Sequence, residues 1–199
     1  MCIRDSGDIV QAGIMISNSE TGLGAVNIQP LIYRLVCSNG MVVNEAGTRR
    51  AHIGRVNTTD VNFALYSQQT LDAEDRAFVL KIQDTVRAAV DEARFSTVLE
   101  RMRESKQAQL NTQDLPGLVK LAGSSFGILE EEGKGVLQHL IEAGDFTLYG
   151  LANAVTRFSQ DVESYDRATK LEEIGYSVMT MSPLLLQKIN QTQVTKLAA

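Results

Sequence analysis

Two hydrophobic patterns divide the chain. From Ile9 to about Val43, short apolar and β-branched runs alternate with turn residues, which is how strands read. VQAGIMIS forms one such run, NSETGLG supplies a turn with two glycines, and AVNIQPLIYRLVC forms the next. SNG and MVV follow. Asn39-Gly40 is the strongest short hairpin signal in the chain, because both residues tolerate positive φ. Pro30 has no N–H to give to a ladder, so it is expected at a bulge, an edge or a strand start. A further short strand is expected from Arg50 to Val56.

Near Thr70 the period changes. Phe78, Val79, Ile82, Val86, Ala89, Val90, Ala93, Val98, Leu99 and Met102 recur in steps of three and four, one helical stripe. It runs from about Leu71 to about Gln109, with a break expected near Phe95. Asp72, Glu74 and Asp75 stand at its start, where they complement the helix dipole. NTQDLPG is a linker and a helix start. Further helices are expected at Leu115–Gly123, Glu130–Glu142, Leu148–Ser164 and Asp166–Thr180, with a weaker one in MSPLLLQKINQTQ. Thr147 or Asp145 is placed to cap the helix that begins at Leu148. The plan is α+β: N-terminal antiparallel strands with a hairpin, then a long helix, then a C-terminal helical segment. The expected division is a β-rich part over 7–62, a long helical segment over 63–111, and a C-terminal helical part of the same domain over 112–199.

The opening MCIRDS stands outside both patterns. It back-translates to a transposon end sequence used in sequencing-library preparation, so Met1–Ser6 is expected to be a translated adapter. On that expectation Gly7 begins inside a truncated domain.

Composition then narrows the classes. The chain has 199 residues, 44% hydrophobic and 22% charged, with no Trp, so its core must be mostly aliphatic. A net charge of −5 argues against broad, non-specific phosphate binding, though a local basic patch is compatible with it. No apolar run approaches the ~18 residues of a membrane span. With Cys2 set aside, Cys37 is alone, and His52 and His139 lie too far apart for zinc-ligand spacing. A reducing cytoplasm is the simplest compartment, and no metal or cofactor is implied.

Arg34, Asn39, Arg49, Arg50, His52 and Arg55 group as a cationic, polar candidate for nucleic acid or phosphate. The plainer alternative makes Cys37 a small buried hydrophobe and the arginines a solvated edge. Cys37 with His52 as a nucleophile pair lacks an orienting third group. NSETGLG lacks both the GxGxxG and the Walker spacing. LVKLAGSSFGILEEEGKGVLQHL has the outline of a helix-turn-helix, but Glu130, Glu131 and Glu132 would repel phosphates at its second helix. His139 there reads as a packed or flanking side chain. Asn153, Thr156 and Arg157 sit inside a helix against propensity and are candidates for a structural hydrogen-bond role. Asp161, Glu163 and Asp166 form an acidic trio without fixed ligand geometry. No nucleophile, base and orienter occur together, so the reading leans away from an enzyme.

Three stretches, in order, resemble the family called domain of unknown function 932, or phage/plasmid-like protein. They are ISNSETGLGAVNIQPLIYRLVCSNGMV, RRAHIG and HLIEAGDFTLYGLANAVTRFSQDVESYDRATKLEEIG. The resemblance spans Asp8 to about Met181, and it implies further strands on the N-terminal side. It also implies a protein of phages, prophages and plasmids, acting in the cytoplasm of a bacterial host, with no catalytic residues to transfer. Two functions are expected from this. One is a non-enzymatic module that binds single-stranded DNA, motivated by the family's setting and by the Arg34, Arg49, Arg50 and Arg55 cluster, its likeness to annealing proteins being an analogy of fold alone. The other is an assembly protein that forms a homo-oligomer through the long helix.

Overall fold

Alternation in the N-terminal third produces an antiparallel sheet. The computed structural model describes residues 2–5, 8–17, 25–34, 39–42, 48–51 and 66–191. Its strands are β1 (Cys2–Asp5), β2 (Asp8–Ser17), β3 (Ala25–Arg34), β4 (Asn39–Val42) and β5 (Thr48–Ala51). β2 pairs with β1 on one side and with β3 on the other. The far edge of β3 is shared: β4 pairs with Leu31–Arg34, and β5 pairs with Ala25–Ile28. Gln29 and Pro30 fall in the gap between these two partners. A residue without an N–H costs least where a partner strand is missing, so the gap accounts for a proline inside a ten-residue strand.

Asn39-Gly40 does not form the turn its sequence suggests. Both residues stand in β4, with Asn39 opposite Arg34 and Gly40 opposite Tyr33. The hairpin exists, but residues 35–38 connect it, and they lie outside the described residues. A four-residue connection is a common hairpin loop, and it leaves the dipeptide in the ladder. The strand expected at Arg50–Val56 begins earlier, at Thr48, and 52–56 lie outside the described residues.

The long stripe is two helices, α1 (Gln68–Ala89) and α2 (Glu92–Gln107). The break falls at Val90–Asp91 and not near Phe95. Asp91 is extended, and its carboxylate accepts from the Arg94 N–H at 2.9 Å, an N-cap that restarts the helix. Phe95 is instead buried within α2. After a 3₁₀ turn at Thr112–Asp114 come α3 (Leu115–Phe126), α4 (Glu130–Ala143) and α5 (Leu148–Phe158). A second 3₁₀ turn, Ser159–Asp161, leads to α6 (Tyr165–Met179) and α7 (Pro183–Gln191). α3 stops at Gly127, whose left-handed φ of 79° lets its N–H close on the Gly123 carbonyl at 2.8 Å. Thr147 caps α5 by accepting from the Gly150 N–H at 3.0 Å, while its own hydroxyl donates to Asp145 at 2.7 Å. The two capping candidates therefore act in series.

α5 lies at the centre. Leu148, Leu151, Ala152, Ala154 and Val155 are all buried, because α2, α4, α6 and β4 pack around it. Leu140 of α4 and Leu171 and Val178 of α6 are fully buried against this helix layer. Met41 of β4 joins the same core, and α1 lies against β3, β2 and β5. The segment after α2 is clamped to the start of α5 by Leu110 N–H to Phe146 O and Leu148 N–H to Ala108 O. Asn190 of α7 pins that segment from outside, accepting from Asn111 N–H and donating to Gln109 O, each at 3.1 Å.

Candidate nucleic-acid interface

The sheet carries three of the candidate arginines. Arg34 ends β3 directly opposite Asn39, so the ladder brings those two residues together. Arg49 and Arg50 stand in β5 opposite Asn27 and Val26, near the other end of β3. Along a strand that rises ~3.3 Å per residue, the two groups are separated by roughly 25 Å. The arginines thus stand toward the two ends of β3, on two strands, and alternation puts Arg50 on the face of Arg34 and Arg49 on the other. His52 and Arg55 lie outside the described residues, as does Cys37.

Charge is distributed accordingly. In residues 1–51, Arg4, Arg34, Arg49 and Arg50 balance Asp5, Asp8, Glu20 and Glu45. The whole net charge of −5 therefore falls on the remainder of the chain. A polyanion meets less repulsion at the sheet than at the helices.

The α5 candidates are local. Thr156 is buried and its hydroxyl donates to Asn153 O at 3.1 Å, while Ser159 donates to Thr156 O at 2.8 Å. Arg157 is exposed and bonds Gln160 in the turn that follows. The Thr156 hydroxyl is thus satisfied within its own helix, and Arg157 and Ser159 bond at its junction with the 3₁₀ turn.

Sequence spacing gave no sight of the long-range polar contacts. Arg167 of α6 clamps Glu132 of α4 with two bonds, Nε to Oε1 at 2.7 Å and Nη2 to Oε2 at 2.6 Å. The same Nη2 donates to Gly127 O at 2.8 Å, and Glu132 accepts from Leu129 N–H. The Arg167 guanidinium holds the Glu132 carboxyl below the usual carboxylate range. Of the acidic start of α4, Glu132 is thereby anchored, while Glu130 and Glu131 stay exposed. His139 Nε2 lies 2.6 Å from Asp161 Oδ2, with its ring 6.4 Å from that of Phe158. Asp161 of the acidic trio is thus engaged by a histidine. Among the described residues no three His, Cys, Asp or Glu side chains are grouped to hold a metal.

Gln29, in the pairing gap of β3, donates to Glu173 of α6 at 2.7 Å and so ties sheet to helices. Lys170 donates to the other oxygen of Glu173 at 2.8 Å. The neighbouring Glu172 is half-buried, and burial pushes its carboxyl up to about 7. The folded state then holds a proton that the unfolded chain releases, so stability declines as pH rises from the ordinary carboxylate range to about 7. Glu172→Gln is expected to flatten that decline, read from thermal midpoints measured at pH steps across this window.

Concavities also open among the described helices. A half-open cavity of about 750 Å³ lies between α2, the end of α6 and α7, lined by Arg101, Ser105, Met179, Ser182 and Leu186. A groove of about 400 Å³ runs between α3 and α4 over Val119, Ile128 and Leu137. Among the described residues no helix is long and apolar enough to cross a membrane. Comparison with known proteins adds one match: a family model described as Domain of unknown function (DUF932) covers residues 2–182. No curated protein and no solved structure matches the chain.

Proposed function

The chain belongs to the family Domain of unknown function (DUF932), and we propose on that footing that it is a non-enzymatic nucleic-acid-binding module. Its ligand is single-stranded DNA, lying along the N-terminal sheet. The observation that carries this reading is the placement of Arg34 at one end of β3 and of Arg50, on the same face of the sheet, beside the other. A linear array of cations suits a phosphate backbone, whose charges are themselves linear, better than it suits a small anion. The neutral charge of this region against the acidity of the helices favours the same face. The resemblance to phage and plasmid proteins makes a mobile element in the cytoplasm of a bacterial host the fitting setting.

Arg50→Glu is expected to weaken binding to single strands of every sequence alike, and to reduce the salt slope by about one unit. Fluorescence anisotropy with labelled oligonucleotides of differing composition measures both. A loss confined to one sequence, or no loss, contradicts a phosphate-tracking role. The second reading, an assembly protein, is favoured by a different observation: apolar side chains left exposed on α1.

A further inference from the structure

We propose that α1 is a hinged cover over the sheet face of Arg34 and Arg50, and that a single strand engages both only when α1 lifts. The inference rests on the nucleic-acid reading and adds its regulation. Alternation along β3 puts Ile28 on the face of Arg34, and Val26, the ladder partner of Arg50, falls there too. Ile28 is only 3% exposed, although its other ladder partner, Ile16, is 67% exposed, so this face is covered over β3 and open beyond it. α1 is the helix packed against β2, β3 and β5, the strands that meet at Ile28. α6 approaches the opposite face, where Gln29 bonds Glu173. A strand laid from Arg34 to Arg50 therefore crosses the ground that α1 occupies.

α1 is thinly held. Of its 22 residues only Thr85 and Ala89 are buried, and Phe78, Ile82 and Ala88 are partly so. α2 differs, being anchored by Phe95, Val98, Leu99 and Met102, all buried. A hinge lies between the two helices. Val90 leaves the helical backbone at φ −103°, ψ 5°, and Asp91 is extended at φ −72°, ψ 121°. The Asp91 carboxylate caps α2 through the Arg94 N–H, so α2 keeps its start when α1 turns away. A lightly buried element that meets a well-buried one at a two-residue break has the form of a lid, drawn from the low-stability end of a fold.

Hydrogen exchange of the full chain, with and without a saturating oligothymidylate of about twenty nucleotides, tests this. Fluorescence anisotropy establishes saturation. The expected result is faster exchange of α1 amides in the complex, with α2 unchanged. A bound complex in which α1 slows or does not change overturns the cover and leaves the nucleic-acid reading standing. Absence of binding overturns that reading, and the cover falls with it. Phe78→Ala with Ile82→Ala loosens α1 without removing a fully buried side chain. Its affinity for the oligothymidylate is expected to rise by about tenfold, because apparent affinity scales with the fraction of the competent state. Circular dichroism checks that the fold is kept. Unchanged or weaker binding by the folded variant makes α1 a fixed wall and contradicts the proposal.

Discussion

Gly150→Ala is expected to destabilise the protein by about 3 kcal/mol or more, read as a lower urea midpoint at unchanged slope. Gly150 lies in the first turn of α5, where its N–H is held by the Thr147 hydroxyl. A Cβ there would overlap the backbone carbonyl oxygen of Asp145 and crowd the Asp145 carboxyl carbon at 2.8 Å. Backbone cannot rotate aside as a side-chain tip can, so the junction between α4 and α5 would have to move. α5 is the central helix, and displacing its start disturbs packing against α4, α6 and β4 together. The opposing term is small: alanine in a helix is favoured over glycine by about 1 kcal/mol. Gly133→Ala isolates that term, because a Cβ there meets only Val119 Cγ1 at an ordinary 4.0 Å. It should be neutral or stabilising by up to about 1 kcal/mol. If both substitutions stabilise, the close approach at Gly150 is wrong.

Arg167→Ala is expected to cost about 2–4 kcal/mol, because it strands a buried carboxylate. Glu132 is only 9% exposed, and without Arg167 it keeps a single backbone donor, Leu129 N–H. Gly127 O loses its guanidinium partner in the same step. The pair also sets an acid limb of stability. With its native carboxyl held below the usual range, Glu132 contributes stability above that range and loses it as pH falls through its lowered value. Chemical denaturation of wild type and Arg167→Ala at descending pH should therefore show the gap between them narrowing. Arg167→Lys keeps the charge but not the two-bond fork, and should recover only part of the loss. A constant gap across the acid range would assign the effect to packing rather than to the ion pair.

Local rules carried the helices well and the sheet less well. Three-and-four spacing placed the body of every helix from α1 to α7, although the helix expected over Leu148–Ser164 ends at Phe158, and of the two capping candidates Thr147 caps α5 while Asp145 supports its hydroxyl. The break at Asp91 is equally local, an aspartate cap hidden by apolar spacing that runs on through Val90 and Ala93. Asn39-Gly40 shows the opposite limit. Its preference for a turn is real, but the register of β4 on β3 is set by pairing along the strands, and the ladder absorbed it. Pro30 carried a correct warning of an unpaired edge without saying which strands would leave the gap. Contacts across long separations were illegible. Nothing in sequence joins Gln29 to Glu173, Glu132 to Arg167 or His139 to Asp161, since each depends on how packed helices meet. The candidate interface lies between these cases: residue types singled out the arginines, and only the strand register separated Arg34 from Arg49 and Arg50.

The measurement that bears most directly on the proposed function is the affinity of the full chain for a labelled single-stranded oligonucleotide as a function of salt. Arg34 and Arg50, which strand alternation places on one face of the sheet, predict a log–log slope of about −1.4 when each neutralises a phosphate, with little dependence on base sequence. Binding that is absent at low salt, or that does not change with salt, contradicts the account.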